Sequence, residues 1–381
     1  MQRRPAGGNC NACVLNRITA MTLPRAAINL TAIADNYRYA KSLAPGKRAL
    51  AVVKADAYGH GAIAVSRALA DRVDGFAVAR LDEALQLRDA GITQPLLLLE
   101  GVFSEEEYRL ADAAHCWTVV HNAAQLAWLH SVPLSTPTHV WLKLNTGMNR
   151  LGLTPAQLRQ ATQHLAGHHN VTALTLMTHF ACADDLHSDV THRQLDRFRQ
   201  AVADLKADHS LANSAAILAW PAAHGDWLRP GILLYGASPL LASDAPQHAL
   251  NTTMTLTTEL IAVRELAAGA CIGYGARWRA DHPVRMGVAA IGYADGYPRS
   301  APDGTPVLVN GQRSRIIGRV SMDMITVDLT DIPDAGIGAD VQLWGPELPV
   351  NEVATACGTI AYELFTRLTS RVRRIYHPES A

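Results

Sequence analysis

From about residue 48 to 236, short apolar, β-branched runs alternate with longer stretches of helical period. Runs at 49–53, 75–79, 95–100, 116–120, 138–145, 173–180, 209–214 and 228–235 read as strands. Amphipathic segments at 63–70, 82–90, 105–114, 123–130, 155–166 and 192–207 read as the helices between them. Eight strands with helical crossovers predict a parallel (β/α)8 barrel, an α/β fold whose active site lies at the C-terminal ends of its strands. After residue 250 the period changes. Alternating runs at 254–263, 284–293, 305–309, 314–320, 325–329 and 341–343 are separated by Gly, Pro and Asp, as in a smaller, mostly β domain. Asn310-Gly311 and Asp303-Gly304 read as its hairpin turns, and helical character returns at 351–370. The run at 25–30 is expected to pair with this second domain as a further strand. The predicted organisation is a disordered extension at 1–22, a barrel over 23–250 and a C-terminal β domain over 251–381.

Composition narrows the class of function. The 381 residues are 49% hydrophobic and 18% charged, enough apolar chain for one large core and a smaller one. Lys+Arg and Asp+Glu stand at 34 each, so the charge balance gives no reason to expect a nucleic-acid partner. No run approaches the roughly eighteen apolar residues of a membrane span. The opening segment, with Arg3, Arg4 and Arg17, lacks the apolar stretch of a secretory signal, so a cytoplasmic location is expected. Cys10 and Cys13 form a C-x-x-C with no second pair or histidine at zinc-finger spacing. His164 and His168 lie one helical turn apart without a third ligand, so they read as surface residues and no metal site is expected.

The chemistry concentrates at strand ends. Lys54 closes an apolar strand, where lost solvation lowers the pKa of its amine toward the range in which it attacks a carbonyl as a Schiff-base lysine. Tyr58 follows, and Gly59 and Gly61 bracket His60, a composition that lets backbone and phenol approach an anion such as phosphate. Arg150, just past the fifth predicted strand, can grip a carboxylate at two points. Arg229-Pro-Gly231-Ile232 sets a cation beside a turn whose Gly231 and Ile232 N–H groups can donate to phosphate. Each of these residues taken alone is ordinarily a snorkelling lysine, a surface arginine or a turn.

The string Val-Val-Lys54-Ala-Asp-Ala-Tyr58-Gly59-His60-Gly61 closely resembles the pyridoxal phosphate attachment motif of the alanine racemase family, and Lys143-Leu-Asn145-Thr-Gly-Met-Asn-Arg150-Leu-Gly resembles its second signature. The resemblance runs from about residue 25 to 375. It implies a pyridoxal phosphate enzyme that interconverts L- and D-alanine as a homodimer with active sites shared between subunits. Under it, Lys143 is a carbamylated lysine that holds the substrate anchor Arg150, although many members carry aspartate at the position of Asn145. Ser214 and Tyr362 contact phosphate, Arg229 faces the pyridine nitrogen, and His179 neighbours Arg229 and the second base. Racemisation removes a proton from one face of Cα and delivers one to the other, which a single lysine can hardly do at a fixed planar imine, so two bases are needed. The resemblance assigns the second base to Tyr274, lent by the partner subunit, and has Tyr293 line the entrance. It also brings the Met322 N–H to the substrate carboxylate, with Asp323 near the site. An arginine at the pyridine nitrogen keeps its proton, which disfavours transamination and leaves proton return to Cα as the main exit. Rival readings are a racemase for serine or for several amino acids, and a pyridoxal phosphate-binding barrel without turnover. The paired tyrosines Tyr293 and Tyr362 favour a small substrate over the first, and the β domain with Tyr274 and Met322 stands against the second.

Overall fold

The computed structural model describes residues 24–241 and 249–377. The predicted extension at 1–22, with Cys10 and Cys13, lies outside them. The chain divides into two compact units, one built on Ile28–Met254 with Ala361–Thr366, the other on Thr255–Ile360 with Arg367–Ile375. After a first strand, β1 (Arg25–Asn29), the barrel unit contributes β2 (Arg48–Val52), β3 (Gly75–Val78), β4 (Leu96–Leu98), β5 (Cys116–Val120), β6 (Thr138–Lys143), β7 (Val171–Met177), β8 (Asp208–Ser210) and β9 (Trp227–Leu228). These eight run in the order β8-β7-β6-β5-β4-β3-β2-β9 with parallel pairing. The ring closes where the Asp226 N–H donates to the His209 carbonyl oxygen at 2.7 Å and the Arg229 N–H to that of Ala212 at 3.0 Å.

Strands such as β3 and β4 are buried along their whole length, which is why they read as unbroken apolar runs rather than alternations. Large rings fill the N-terminal half of the barrel: the centroid of Trp227 lies 5.7 Å from Trp117 and 5.6 Å from Trp141. Arg48 covers Trp227 at 4.2 Å. His139 sits in this cluster, donor or acceptor to Thr175 Oγ1 at 2.8 Å, and burial pulls its pKa down to about 4, so it is a neutral packing residue. Packing thus plugs one end and leaves chemistry to the other.

Two strand predictions change. The run at 228–235 is a strand only over Trp227–Leu228, because Pro230 has no N–H for a ladder and the chain turns into a 3-10 segment at Ile232–Tyr235. The run at 209–214 ends as strand at Ser210; Asn213 then caps the helix Ser214–Ala219, its Oδ1 accepting the Ala216 N–H at 3.0 Å. As a result Arg229 follows its strand rather than opening it, and Ser214 starts a helix rather than ending a strand.

The second unit holds β10 (Met254–Leu266), the short hairpin β11 (Cys271–Ile272) and β12 (Trp278–Arg279), β13 (Val284–Ala289), β14 (Pro306–Val309), β15 (Gln312–Arg315), β16 (Ile325–Asp328), β17 (Asp340–Trp344) and β18 (Arg373–His377). Its main sheet runs β15-β14-β17-β10-β1-β18, with β13 pairing β10 and β16. Ile272, Ala280, Val284, Met286 and Ile317 form an apolar cluster beside it. Asn310 and Gly311, at φ 48° and 78°, turn the β14–β15 hairpin as their sequence requires. Asp303-Gly304 is not a hairpin: the Gly304 N–H donates to the Ile316 carbonyl oxygen at 2.9 Å and Asp303 Oδ1 accepts the Gly318 N–H at 2.6 Å, so the turn is held by side chain and loop. The segment at 351–370 is two helices, Val350–Ala356 and Ala361–Thr366. Among the described residues no helix is long and apolar enough to cross a membrane.

Candidate active site

Lys54 lies two residues beyond β2. The Val53 N–H still donates to the Ala77 carbonyl oxygen at 2.9 Å, after which the chain leaves the barrel wall. Ala55, Asp56, Ala57 and Tyr58 all adopt left-handed dihedrals, with φ of 52–53°. L-residues pay about 1–2 kcal/mol each in that conformation, so the turn needs external support. The support is visible: the Ala55 N–H donates to Glu83 Oε1 at 2.7 Å, the Ala62 N–H to Asp56 Oδ1 at 2.8 Å, and the Gly61 N–H to the Asp56 carbonyl oxygen at 2.9 Å. Tyr58 stacks on Tyr235 with centroids 4.8 Å apart, and the Tyr235 hydroxyl donates to the Val52 carbonyl oxygen at 2.8 Å. Burial lowers the pKa of the Lys54 amine; Arg150 lowers it further, while Glu100 and Glu83 oppose the shift.

Beside this arm, hydroxyl groups and backbone converge. Ser214 Oγ accepts the Gly231 N–H at 2.8 Å and the Leu233 N–H at 3.4 Å. A Cβ on Gly231 would lie 2.7 Å from the Tyr58 hydroxyl oxygen and 3.7 Å from Ser214 Oγ, so only glycine leaves this space open. Ile232 begins the 3-10 segment, whose first N–H groups have no partner within the turn. Tyr362, half-buried, places its ring 5.9 Å from that of Tyr58. Burial raises the pKa of both phenols above the usual tyrosine range, so each is a hydrogen donor at neutral pH.

The third group is cationic. Lys143, the last residue of β6, is buried, and burial followed by the charges of Arg229, Arg150 and Lys54 brings its pKa down to about 8. Among the described residues it has no ion-pair partner. Arg150 stands exposed on the loop after β6, and the loop is shaped by Asn145, whose Oδ1 accepts the Gly147 N–H at 3.0 Å and the Asn149 N–H at 3.1 Å. An aspartate would accept the same two bonds but could not make the third, which Asn145 Nδ2 donates to Asn149 Oδ1 at 3.0 Å. Lys143, Arg150, Thr178 and His179 line one small cavity. Arg229 is buried; its guanidinium donates to Ser210 Oγ at 2.6 Å and to the carbonyl oxygens of Thr178 at 2.7 Å and Leu211 at 3.2 Å. Its pKa falls to about 10 by burial, which still leaves it protonated at neutral pH. The His179 Nδ1 lies 3.5 Å from the Arg229 guanidinium. Burial, then Arg229 and the other cations, holds His179 well below its usual pKa, hence neutral.

Ten predicted site residues therefore gather in the barrel unit: Lys54, Tyr58, Lys143, Arg150, His179, Ser214, Arg229, Gly231, Ile232 and Tyr362. The other four belong to the β unit. Tyr274 is 71% exposed on the turn between β11 and β12, where Gly273 and Gly275, at φ 70° and 77°, let the chain reverse tightly around it. Tyr293 opens a 3-10 turn, and the Tyr293 and Ala294 N–H groups donate to the Ser321 and Met322 carbonyl oxygens, both at 3.0 Å. Met322 is 52% exposed. Asp323 accepts from Arg371 at 2.8 Å, and Arg371 also meets the buried Asp295 at 3.1 Å as an ion pair.

Sequence reasoning missed Glu83, Glu100, Tyr235 and Gln194. Gln194 is buried, its Nε2 donating to Thr146 Oγ1 and to the His179 carbonyl oxygen at 3.0 Å each, its Oε1 accepting the Ala181 N–H at 2.9 Å. It staples the loops that carry Arg150 and His179. A polar residue on the apolar stripe of the helix Val190–Val202 was its only signal.

Residues 28–239 match the family described as alanine racemase, N-terminal domain, and residues 253–376 the one described as alanine racemase, C-terminal domain. The chain is 55% identical to an alanine racemase of Azoarcus sp. (strain BH72) over 92% of its own length and 98% of the relative's. Its fold is similar to the biosynthetic alanine racemase of Pseudomonas aeruginosa, with a TM-score of 0.91, 50% identity, and coverage of 94% of this chain and 100% of that one. It is also similar to the alanine racemase of Bartonella henselae solved with covalently bound pyridoxal phosphate, at a TM-score of 0.84, 29% identity, and coverage of 93% and 99%. With both domains matched and the relatives aligned nearly end to end, the chain belongs to the alanine racemase family.

Proposed function

We propose that this protein interconverts L- and D-alanine with pyridoxal 5'-phosphate as cofactor, in a homodimer whose active sites are shared between subunits. The single observation that carries the reading is the convergence of Tyr58, Ser214 and the bare Gly231 backbone beside the half-buried Lys54. That cradle suits the cofactor's phosphate, because it offers the Tyr58 and Ser214 hydroxyls and the Ile232 N–H around a space that a Cβ would fill, while the Gly231 N–H is held by Ser214 Oγ. The cations Arg150 and Arg229 add the positive field that an anionic cofactor and a substrate carboxylate need.

When bound, the cofactor draws electron density away from the substrate Cα and so lowers the barrier to removing its proton. Lys54 would hold the cofactor covalently, and its nitrogen would take and return the Cα proton on the D-alanine face. A lowered pKa keeps that nitrogen competent as a base. Tyr274 of the partner subunit serves the L-alanine face, with Tyr293 lining the entrance. Arg150 grips the carboxylate from one chain and the Met322 N–H from the other, with Asp323 anchoring the Met322 loop through Arg371. Arg229 keeps its proton, with neutral His179 beside it, so the proton goes back to Cα. The unprotonated fraction of Lys143, raised by its pKa of about 8, adds to carbon dioxide and releases a proton to solvent, giving an anionic carbamate that steadies Arg150.

The test is the purified protein supplied with L-alanine, L-serine and L-lysine in turn, following loss of optical activity by circular dichroism. Loss with L-alanine and little or none with the others supports the reading. Equal rates with all three turn it into a broad-specificity racemase, and no loss with any overturns it.

A further inference from the structure

We propose that Glu83 is a positioning residue for Lys54: its carboxylate fixes the peptide that leaves Lys54 and places negative charge beside the Lys54 nitrogen. The inference rests on the reading of Lys54 as the cofactor lysine.

Glu83 follows β3 in the helix Leu81–Asp89, where it caps the helix start by accepting backbone N–H groups. Its Oε2 accepts the N–H of Ala79 at 2.7 Å and of Arg80 at 3.2 Å, both in its own loop. That much is ordinary helix capping. Glu107 does the same after β4, accepting the Phe103 N–H at 2.8 Å, and Gln157 after β6, accepting the Thr154 N–H at 2.9 Å. Glu83 differs in its second oxygen, which reaches across to the neighbouring loop and accepts the Ala55 N–H at 2.7 Å. One carboxylate thus ties the chain leaving β2 to the chain leaving β3.

The bonded N–H belongs to the peptide plane between Lys54 and Ala55. Holding that plane sets the ψ angle of Lys54, and with it the direction in which the lysine side chain leaves the barrel rim. It also anchors the first residue of a left-handed run, Ala55–Tyr58, which local preference alone would not hold. A rim lysine has four flexible carbons, so aiming its base matters to a reaction in which the nitrogen must meet one face of Cα.

Charge is the second contribution. Facing the Lys54 nitrogen are Glu100 from the end of β4, Glu83 from the end of β3 and Arg150 from the loop after β6, with Lys143 of β6 also within electrostatic reach. Two carboxylates oppose burial and the cations. Removing one leaves Glu100 alone in that role. Glutamine keeps the shape of Glu83 but turns one of its two acceptors into an NH2 donor, which must then face a backbone N–H.

The decisive experiment compares wild type, Glu83→Gln and Glu107→Gln as cofactor-loaded dimers. The acid limb of kcat with D-alanine, which reports Lys54 in the substrate complex where its amine is free, is expected to move to lower pH by about half a unit in Glu83→Gln. Its kcat is expected to fall about tenfold, with KM for alanine within about threefold of wild type. Glu107→Gln, which removes the charge of an equivalent capping carboxylate whose cap is confined to its own loop, is expected to change neither. An unmoved acid limb in Glu83→Gln, or an equal displacement in Glu107→Gln, overturns the proposal. Borohydride reduction and peptide mapping of the wild type test the underlying reading separately: a label away from Lys54 sinks that reading, whereas a label at Lys54 with an unmoved limb sinks only the role of Glu83. If Glu83→Gln does not fold, hydrogen exchange at the Ala55 amide of the wild type decides. Slow exchange supports the anchor, and exchange at the rate of an open loop contradicts it.

Discussion

Arg229 donates a hydrogen bond to Ser210 Oγ at 2.6 Å, and among the described residues no carboxylate meets its guanidinium. The cation is satisfied by neutral acceptors alone, so it keeps its proton and, in the proposed role, would give none to the cofactor's ring. Arg229→Glu is expected to slow racemisation by about a hundredfold and to raise amino-group transfer to the cofactor, measured as pyruvate released per turnover. Pyruvate at the wild-type level would remove Arg229 from that role.

Lys143 is expected to carry carbon dioxide in a pH-dependent way. Only the unprotonated amine reacts, so a carbon-13 carbamate signal grows as pH rises through about 8, shrinks below it, and is absent in Lys143→Ala. Linkage gives a second sign. With the folded pKa near 8 and the ordinary value 10.5, the unfolded chain binds the extra proton between them, and stability of the uncarbamylated protein rises over that window. The slope is up to about 1.4 kcal/mol per pH unit, and denaturant titrations of Lys143→Met are expected to lose it.

Asn145→Ala removes the acceptor of the Gly147 and Asn149 N–H groups. Each bond contributes about 0.5–1.5 kcal/mol, and the loop they shape presents Arg150. KM for alanine is expected to rise several-fold with a smaller change in kcat, while Asn145→Asp, which keeps both acceptors and loses only the bond to Asn149, is expected to change less. Steady-state kinetics of both variants check it; equal values for all three proteins would show that the loop is held elsewhere.

Gly231→Ala puts a methyl group 2.7 Å from the Tyr58 hydroxyl oxygen. Tyr58 is stacked on Tyr235 and cannot retreat freely. Cofactor affinity, followed by protein fluorescence quenching, is expected to weaken at least about tenfold with little loss of thermal stability. Unchanged affinity would place the phosphate elsewhere.

The barrel was legible because most of its strands have buried cores that read as apolar runs, as in β3 and β4; β5 falls at 116–120, where it was expected. Legibility failed where a strand is too short to have a period, as at Trp227–Leu228, and where a cap decides the element, as Asn213 does for Ser214. Lys54 and Arg150 were recognisable because reactive groups sit in motifs. Glu83 and Gln194 were not: they act on backbone N–H and carbonyl groups of other loops, and which groups those are is known only once the chain has folded. The left-handed turn at Ala55–Tyr58 was equally hidden, since alanine and tyrosine carry no signal for it and tertiary contacts impose it.

The shared two-base site is tested most directly by subunit complementation. Lys54→Ala and Tyr274→Phe chains, each with its own affinity tag, are co-expressed and the mixed dimers isolated through both tags. A mixed dimer has one site with both bases and one with neither, so it is expected to regain about half the wild-type kcat per dimer while each homodimer of variants stays nearly inactive. Mixed dimers no more active than the variant homodimers would contradict the account.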